Sequence, residues 1–293
     1  MTLSAPLYIM GDIHGQFEKL TTLLRDARLV DDELSWMGGA ARLWFIGDFF
    51  DRGPGAIETV DMVMRLQAEA ADAGGQVEAL LGNHEPLILA AKRFGETRTA
   101  RSGTFLWSWR RNGGDDNDLA RLTSRHIEWL SSLPAMAVVD EYLLIHADSS
   151  FYTSYGATID QVNRALRTLL HTDDPPAWDH LLDQFSGRKE FLDDDPDGPL
   201  RAAQMLLDFG GQQIIHGHTP ISSVRRCLPE EVLGPMIYAN GVCVNVDGGM
   251  YLDGPGFLYR PADGWVLHGP PPPAEPLEAL DDLMVSADDE PLA

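Results

Sequence analysis

The chain has 293 residues, of which 44% are hydrophobic and 23% charged, a composition typical of a globular protein that buries a sizeable core. Its 45 acidic and 22 basic side chains leave a net charge of −23, which disfavours binding to nucleic-acid phosphates or anionic membrane surfaces. Two cysteines are too few for a disulfide framework and no apolar run reaches membrane-span length, so we expect a cytoplasmic protein with neither nucleic-acid nor membrane partners.

The first hundred residues repeat one pattern three times: a short β-prone run, a turn that contains glycine, and a segment with apolar residues at helical spacing. The predicted strands cover 7–10, 42–46 and 77–81, and the predicted helices cover 17–27, 56–71 and 86–93. Three consecutive units of this kind predict parallel strands. Their turns then lie along the carboxyl edge of one sheet, where α/β proteins bind ligands.

The rest of the chain is less regular. Residues 94–122 are predicted to form an irregular segment that passes over the ligand-binding edge of the sheet. Further strands are predicted at 137–145, 212–215, 242–246 and 256–259, and helices at 158–170 and 200–209. These late strands indicate a second, mixed sheet in a single domain of residues 1–268. The remainder, 269–293, is proline-rich and carries seven acids with no base from 274 onward, which predicts a disordered acidic tail.

Six polar residues stand at or just after predicted strand ends and combine carboxylate, imidazole and amide donors. They are Asp12, His14, Asp48, Asn83, His146 and His218. This donor set is typical of a binuclear metal site, because a carboxylate can bridge two cations and imidazole suits transition metals. Without a thiolate, Mn²⁺, Fe or Zn²⁺ fits better than a structural zinc. The spacing leaves His216 open as an alternative to His218, since residues two apart on a strand face the same side.

Five short blocks stand in a distinctive order. They are GDIHG at 11–15, GDFFDRG at 47–53, GNHE at 82–85, HAD at 146–148 and GHT at 217–219. Together they resemble the signature of the phosphoprotein phosphatase family of calcineurin-like metallophosphoesterases, in the form of its bacterial and phage branch, which includes the lambda phage phosphatase. The resemblance implies an α/β fold, a sandwich of two mixed β-sheets flanked by helices.

The resemblance also implies which residues hold metal. Asp12 and His14 would bind the first of two divalent ions, Asp48 would bridge the pair, and the second ion would be held by Asn83, His146 and His218. The ions would be Mn²⁺, with Fe or Zn²⁺ as alternatives. The GHT block selects His218 over His216.

The catalytic roles implied by the resemblance follow from the same blocks. A hydroxide that bridges the metals would attack the phosphorus in line with the leaving group. His84 would give the leaving group its proton, and Asp51 would orient the imidazole. The Asn83 amide would also contact a phosphate oxygen.

Arginines would bind the remaining phosphate oxygens, because guanidinium is a planar fork suited to them. Arg52 is the first, and Arg188 is the best match to a second. Arg110 and Arg111 are alternatives to Arg188. The sequence leaves open whether their neighbour Trp109 contacts substrate or only packs the irregular segment 94–122 against the rest of the domain.

The implied activity is that of a serine/threonine or dual-specificity protein phosphatase, whose substrates are phosphorylated proteins or small phosphoesters. One alternative is a symmetrical dinucleoside polyphosphate hydrolase, whose second block usually lacks an acid at the position of Asp51 and whose third block ends in Asp where this chain has Glu85. Another is a non-catalytic module that binds phosphorylated partners. Such modules typically lose ligands or the acid, and this chain retains both.

Overall fold

The computed structural model describes residues 5–100 and 103–270. The predicted tail lies almost wholly outside these residues. The strands are β1 (Leu7–Met10), β2 (Arg42–Phe45), β3 (Gln76–Ala79), β4 (Met136–Val139), β5 (Tyr142–Ile145), β6 (Gln213–His216), β7 (Met236–Tyr238), β8 (Cys243–Asn245), β9 (Phe257–Arg260) and β10 (Trp265–His268). The helices are α1 (Phe17–Asp26), α2 (Ala56–Asp72), α3 (His84–Phe94), α4 (Phe105–Arg111), α5 (Asp116–Arg121), α6 (Ser124–Ser132), α7 (Ile159–Leu170), α8 (Pro175–Phe185), α9 (Gly198–Phe209) and α10 (Ile221–Arg225). Within the described ranges, no helix has the length and apolar character to cross a membrane.

The strands form two five-stranded sheets, and both are mixed. The first has the order β10-β9-β1-β2-β3, in which β1, β2 and β3 are parallel and β9 and β10 antiparallel. The second has the order β4-β5-β6-β8-β7, with β5, β6 and β8 parallel between two antiparallel edge strands. The predicted α/β sandwich of two mixed sheets flanked by helices is confirmed.

The parallel strands are buried because helices cover them. β5 is buried at all four positions, as expected for a strand with covered faces. Helix α7, which packs against the edge strand β4, illustrates the helical layer: Val162, Leu166 and Leu170 are four residues apart, share one face and are buried. Its N-terminus is capped by Thr158, whose side chain accepts a hydrogen bond from the backbone N–H of Gln161.

Three sequence predictions need correction. The segment 94–122 is not irregular, because it contains α4 and α5. The run 137–145 is not one strand but the hairpin β4–β5, which turns at Asp140 with φ at +55°. The predicted strand at 256–259 corresponds to β9, which joins the first sheet rather than the second.

Candidate active site

The first two turns of the βα repeats are joined through their backbones. The N–H groups of Ile13 and His14 donate to the carbonyl oxygen of Asp48 at 3.1 and 2.9 Å, and the N–H of Gly15 donates to Phe49 at 2.8 Å. These bonds follow directly from the pairing of β1 with β2. The functional side chains of the two turns therefore lie side by side at the carboxyl edge of the sheet.

Glu85 connects the third turn to the second. Its buried carboxylate accepts from the N–H groups of Gly82, Asp48 and Phe49 at 2.8, 3.0 and 2.8 Å. Burial and the neighbouring Asp48 raise the pKa of Glu85 to about 7, against the hydrogen bonds from the backbone. The acidic end of the GNHE block thus holds the backbone of the GDFFDRG turn.

Several site residues have left-handed backbone conformations. Their φ angles lie between +47° and +70°, and the residues are His14, Asp48, Asp51, Arg52 and His218. A left-handed residue other than glycine costs of the order of 1–3 kcal/mol and persists only where the surrounding structure enforces it. Such strain is concentrated at functional sites.

Buried His and Asp side chains form two adjacent clusters that could each hold a metal ion. His14, Asp48 and His84 form the first, and Asp48, His146 and His218 form the second, with the candidate ligand atoms of each within 4.8 Å of one another. Asp48 belongs to both clusters. A carboxylate shared in this way is placed to bridge two cations.

Asn83 supplies an oxygen to the second cluster. Its Oδ1 lies 3.1 Å from His146 Nε2 and 2.8 Å from His218 Nδ1. An amide oxygen adds a neutral ligand between two imidazoles without adding charge.

The donor set fits a divalent metal. The Nε2 atom of His218 is buried and, within the described part of the chain, has no hydrogen-bond partner. Burial lowers the pKa values of His14 and His218 well below the ordinary 6.5, so both imidazoles are neutral and keep a lone pair, the form that binds metal.

Asp48 and His146 shift each other's pKa values in opposite directions. Burial alone would raise the pKa of Asp48, but His146 and His84 bring it well below its usual value. Burial opposes protonation of His146, yet Asp48, 3.3 Å away, raises its pKa to about 10. Positive charge beside Asp48 therefore stabilises the ionised form of the shared carboxylate, and a bound cation would supply such charge.

Asp12 is at the same edge of the sheet but in neither cluster. Its oxygens accept from the backbone N–H of His218 at 3.1 and 3.0 Å. Burial and the adjacent Asp247 raise the pKa of Asp12 well above its usual value. One oxygen of Asp247 is also buried without a partner among the described residues, so two buried carboxyl groups lie close together at this corner of the site.

His84 and Asp51 form a close buried pair. His84 Nδ1 lies 2.5 Å from Asp51 Oδ2, and the other carboxylate oxygen, Oδ1, accepts from the indole N–H of Trp109 at 2.7 Å. Burial raises the pKa of Asp51 and lowers that of His84 to about 4. With Nδ1 directed at the carboxylate, Nε2 is the nitrogen that faces the metal clusters.

Arg52 lies across the clusters. Its Nη1 is 2.7 Å from His14 Nε2 and its Nη2 is 3.1 Å from His84 Nε2. The guanidinium carbon lies 4.1 Å from the centre of the Tyr251 ring, a cation–π distance. The guanidinium is therefore at the site with one face covered by an aromatic ring.

The other candidate arginines differ in position. Arg188 is exposed, and its charge is close enough to the site to contribute to lowering the pKa values of both His84 and His218. Arg110 instead forms an ion pair with Asp116 at 2.9 Å. Arg111 stacks 4.8 Å over a tryptophan ring of its own helix. Arg188 is thus the better placed second arginine.

Comparison with known proteins agrees with this geometry. The sequence profile of the calcineurin-like phosphoesterases matches residues 5–246. The chain belongs to the calcineurin-like phosphoesterase family. The match covers the whole second sheet, strands β1, β2 and β3 of the first sheet, and every residue of the two clusters that could hold metal.

The similar proteins have names that denote different activities. A symmetrical bis(5'-nucleosyl)-tetraphosphatase of Vibrio cholerae is 30% identical over 185 residues, which are 61% of this chain and 56% of that protein. The Shewanella-like protein phosphatase 2 of Arabidopsis thaliana is 35% identical over 79 residues, 27% of this chain and 20% of that protein. A cold-active protein-tyrosine phosphatase of a psychrophilic Shewanella species has a similar structure, with a TM-score of 0.64 at 24% identity over 87% of this chain and 74% of that one. The last likeness shows the fold alone.

His216 is not in either cluster. Its Nε2 lies 2.7 Å from the Tyr238 hydroxyl and its Nδ1 lies 2.9 Å from the carbonyl oxygen of Gly217. Both ring nitrogens therefore have partners in the fold.

Two neighbours of the site, Asp247 and Tyr251, did not emerge from sequence reasoning as functional residues, and the role of a third, Trp109, was left open. The only sequence signal was that Trp109 precedes the turn at 112–114 and that Asp247 precedes two glycines. Both signals indicate a turn, and neither reveals the tertiary contact.

Proposed function

We propose that this phosphoesterase is a metal-dependent phosphomonoesterase that acts on phosphoserine and phosphothreonine in proteins. Two divalent ions, Mn²⁺ in the first instance, would be held by Asp12, His14, Asp48, Asn83, His146 and His218. When bound, such ions supply positive charge to the phosphate and lower the pKa of water for in-line attack.

The chain's own residues orient the ester. Arg52 offers its guanidinium fork to two phosphate oxygens, and the ring of Tyr251 beside it limits the positions that the fork can take. Arg188 would add a second positive charge, near enough to His84 and His218 to lower their pKa values. The amide of Asn83 faces the same space.

The contact that supports a phosphomonoesterase most strongly is the 2.5 Å approach of His84 to Asp51. A serine oxygen is a poor leaving group and needs a proton as the ester bond breaks. His84 would donate that proton from Nε2, while Asp51 holds Nδ1. A bound phosphate dianion places negative charge beside the imidazole, which favours the protonated form that donates.

A second candidate function is symmetrical hydrolysis of dinucleoside tetraphosphates, which the similarity to the Vibrio cholerae enzyme favours. That reaction expels a nucleotide, whose phosphate oxygen is already stabilised as an anion, so it depends less on a general acid. The close contact between His84 and Asp51 therefore favours a function on esters with poor leaving groups.

A groove of about 250 Å³ next to the site helps to distinguish a phosphopeptide substrate from a dinucleoside polyphosphate. It begins at Asn83 and is lined by residues of α3, α4 and α8, including Leu87, Trp107 and Leu182. The described residues that line it include two carboxylates and no lysine or arginine. Such a lining accepts a peptide more readily than a polyphosphate chain, which the carboxylates repel.

We propose the same limits for the catalytic domain as the sequence indicates, residues 1–268, followed by an acidic tail. Support comes from β10, the last strand along the described chain, which ends at His268. We also assign the chain to the bacterial and phage branch of the phosphoprotein phosphatases, on the HAD and GHT blocks at 146–148 and 217–219.

The test compares three substrates with the Mn²⁺-loaded protein: a phosphoserine peptide, a phosphotyrosine peptide and diadenosine tetraphosphate. We expect kcat/KM to be highest for the phosphoserine peptide and lowest for the dinucleotide. A preference for diadenosine tetraphosphate would contradict the proposal and support the second function. Binding of the phosphopeptide without turnover in the presence of Mn²⁺, Fe²⁺ or Zn²⁺ would indicate a binding module.

A further inference from the structure

Helix α4 and the turn that follows it contact two residues of the GDFFDRG turn. The indole N–H of Trp109 donates to Asp51 Oδ1 at 2.7 Å. Four residues later, the carbonyl oxygen of Gly113 accepts from the backbone N–H of Arg52 at 2.8 Å. One short segment therefore touches both the partner of His84 and the backbone of the phosphate-binding arginine.

The indole of Trp109 has little freedom of position. The side chain is fully buried, and a Cβ on Gly114 would clash with the indole ring. Gly113, with φ at +95°, would place a Cβ 2.6 Å from Arg52 Cγ. The two glycines allow the turn to lie directly against Trp109 and Arg52, which fixes the direction of the indole N–H.

The hydrogen bonds of Asp51 are fully divided between two partners. Oδ2 contacts His84 and Oδ1 accepts from Trp109, and the carboxylate has no solvent exposure. The terminal torsion of an aspartate is soft, so the packing around it and its partners decide the orientation of the carboxylate plane. Removing the indole N–H leaves Oδ1 buried without that donor, and a buried acceptor that loses its donor is unfavourable.

We propose that Trp109 is a positioning residue for the proton transfer by His84. Its N–H donates to Oδ1 of Asp51, and this hydrogen bond orients the carboxylate so that Oδ2 contacts Nδ1 of His84. The imidazole is thereby oriented with Nε2 toward the leaving group. The inference rests on the proposed function, because it concerns how the general acid is held. The sequence left open whether Trp109 contacts substrate. In this proposal Trp109 acts through Asp51 and does not contact substrate.

Trp109→Phe tests the proposal, because it keeps an aromatic ring and removes the N–H. We expect kcat for the phosphoserine peptide and for phenyl phosphate to fall about tenfold, the usual range for loss of an orienting partner. Turnover of p-nitrophenyl phosphate, whose leaving group needs no proton, changes less than twofold, and KM and metal content are unchanged. Trp36→Phe is the matched control, because it removes an indole N–H that donates to the carbonyl oxygen of Gly39 between α1 and β2; it alters none of these values.

A double-mutant cycle separates positioning from general packing. In an Asp51→Asn background, Trp109→Phe should cost less than twofold further, because the residue it positions is already disabled. Equal losses for phenyl and p-nitrophenyl phosphate, or fully additive losses in the cycle, would overturn the proposal. If the phenylalanine variant does not fold, benzothienylalanine at position 109 keeps the shape of the indole without its N–H and gives the same readouts.

The outcomes for the two proposals are distinguishable. A preference for diadenosine tetraphosphate defeats the proposed function, yet the coupling of Trp109 to Asp51 is still measurable on any phosphoester that the protein turns over. Normal phosphoserine turnover in Trp109→Phe defeats the positioning role and leaves the proposed function standing.

Discussion

Asp118 shows how an uncompensated charge outside the site affects this protein. Its side chain is 1% exposed, and neither carboxylate oxygen has a hydrogen-bond partner among the described residues. Burial, with Asp115 and Asp51 nearby, raises the pKa of Asp118 to about 7, while Arg121 opposes the shift. At neutral pH the folded state therefore contains a poorly solvated carboxyl group.

Asp118→Asn should raise the free energy of unfolding at pH 8 by about 1–3 kcal/mol. A carboxyl whose pKa is higher in the folded than in the unfolded protein favours folding at low pH. That contribution is lost as pH rises from its ordinary value of 3.8 to about 7, so the advantage of the variant should shrink at pH 5. Urea titrations at both pH values measure it.

The matched control for this prediction is Asp32→Asn, the same substitution at an exposed position. We expect it to change the stability little at either pH. An advantage of Asp118→Asn that is equal at pH 5 and pH 8 would contradict the assignment of the effect to the charge.

At the residue scale, the sequence predicts what short turns bring together. Asp48, Asp51 and Arg52 are recognisable because one turn carries all three, and the pairing of β1 with β2 places His14 beside them. Trp109 lies 58 positions from Asp51 in the sequence. Its contact depends on how α4 packs against α3, which no local pattern encodes.

At the end of helix α1, the backbone adopts a conformation that the residue in the sequence does not favour. The N–H of Leu29 donates to Leu24 and that of Arg28 donates to Arg25, at 2.9 and 2.8 Å, which is the Schellman arrangement. The residue after the C-cap is normally glycine, because its φ is positive. Here it is the exposed Arg28, with φ at +56°.

Arg28→Gly should raise the free energy of unfolding by about 0.5–1 kcal/mol. A left-handed L-residue costs roughly 1–2 kcal/mol, and the greater chain entropy of glycine in the unfolded state offsets part of that gain. Urea denaturation followed by circular dichroism measures the midpoint at constant slope. Arg28→Ala, which keeps the strain, should bring no gain; an equal gain in both variants would show that the charge, not the backbone, is responsible.

At the element scale, the strands and helices of the first three repeats were predictable because a glycine turn marks the end of each strand. The hairpin β4–β5 was not, since Asp140 and Glu141 interrupt an apolar run without glycine or proline. Helix α8 was not predicted, because its first two residues are prolines. It begins with Pro175 and Pro176, which suggest a break although proline is well tolerated in the first turn of a helix.

The candidate metal centre joins the two halves of the molecule. Asp48 and Asn83 follow strands of the first sheet, whereas His146 and His218 follow strands of the second. Apart from the clusters, His146 Nδ1 lies 2.8 Å from the carbonyl oxygen of Ile46 across the same boundary. Because the ligands come from both sheets, an ion that binds all four connects the sheets directly.

Metal should therefore stabilise the whole fold and not only support turnover. Binding to the folded state alone adds RT ln(1 + [L]/Kd), about 2.7 kcal/mol at a metal concentration of 100 times Kd. We expect the unfolding temperature to rise when Mn²⁺ is added to protein stripped with a chelator, and to fall again when the chelator is restored. Differential scanning calorimetry of the stripped and reloaded protein gives both values.

The variants Asp48→Asn and Arg188→Ala sharpen this prediction. Asp48→Asn removes the carboxylate shared by both clusters, so most of the metal-induced shift should be lost, whatever the stability of its metal-free form. Arg188→Ala removes a charge that faces the site without removing a ligand, and it should keep the full shift. A shift of the same size in Asp48→Asn as in the unaltered chain would mean that the stabilising ion binds elsewhere, and that the two sheets are held together by their hydrogen bonds and apolar packing alone.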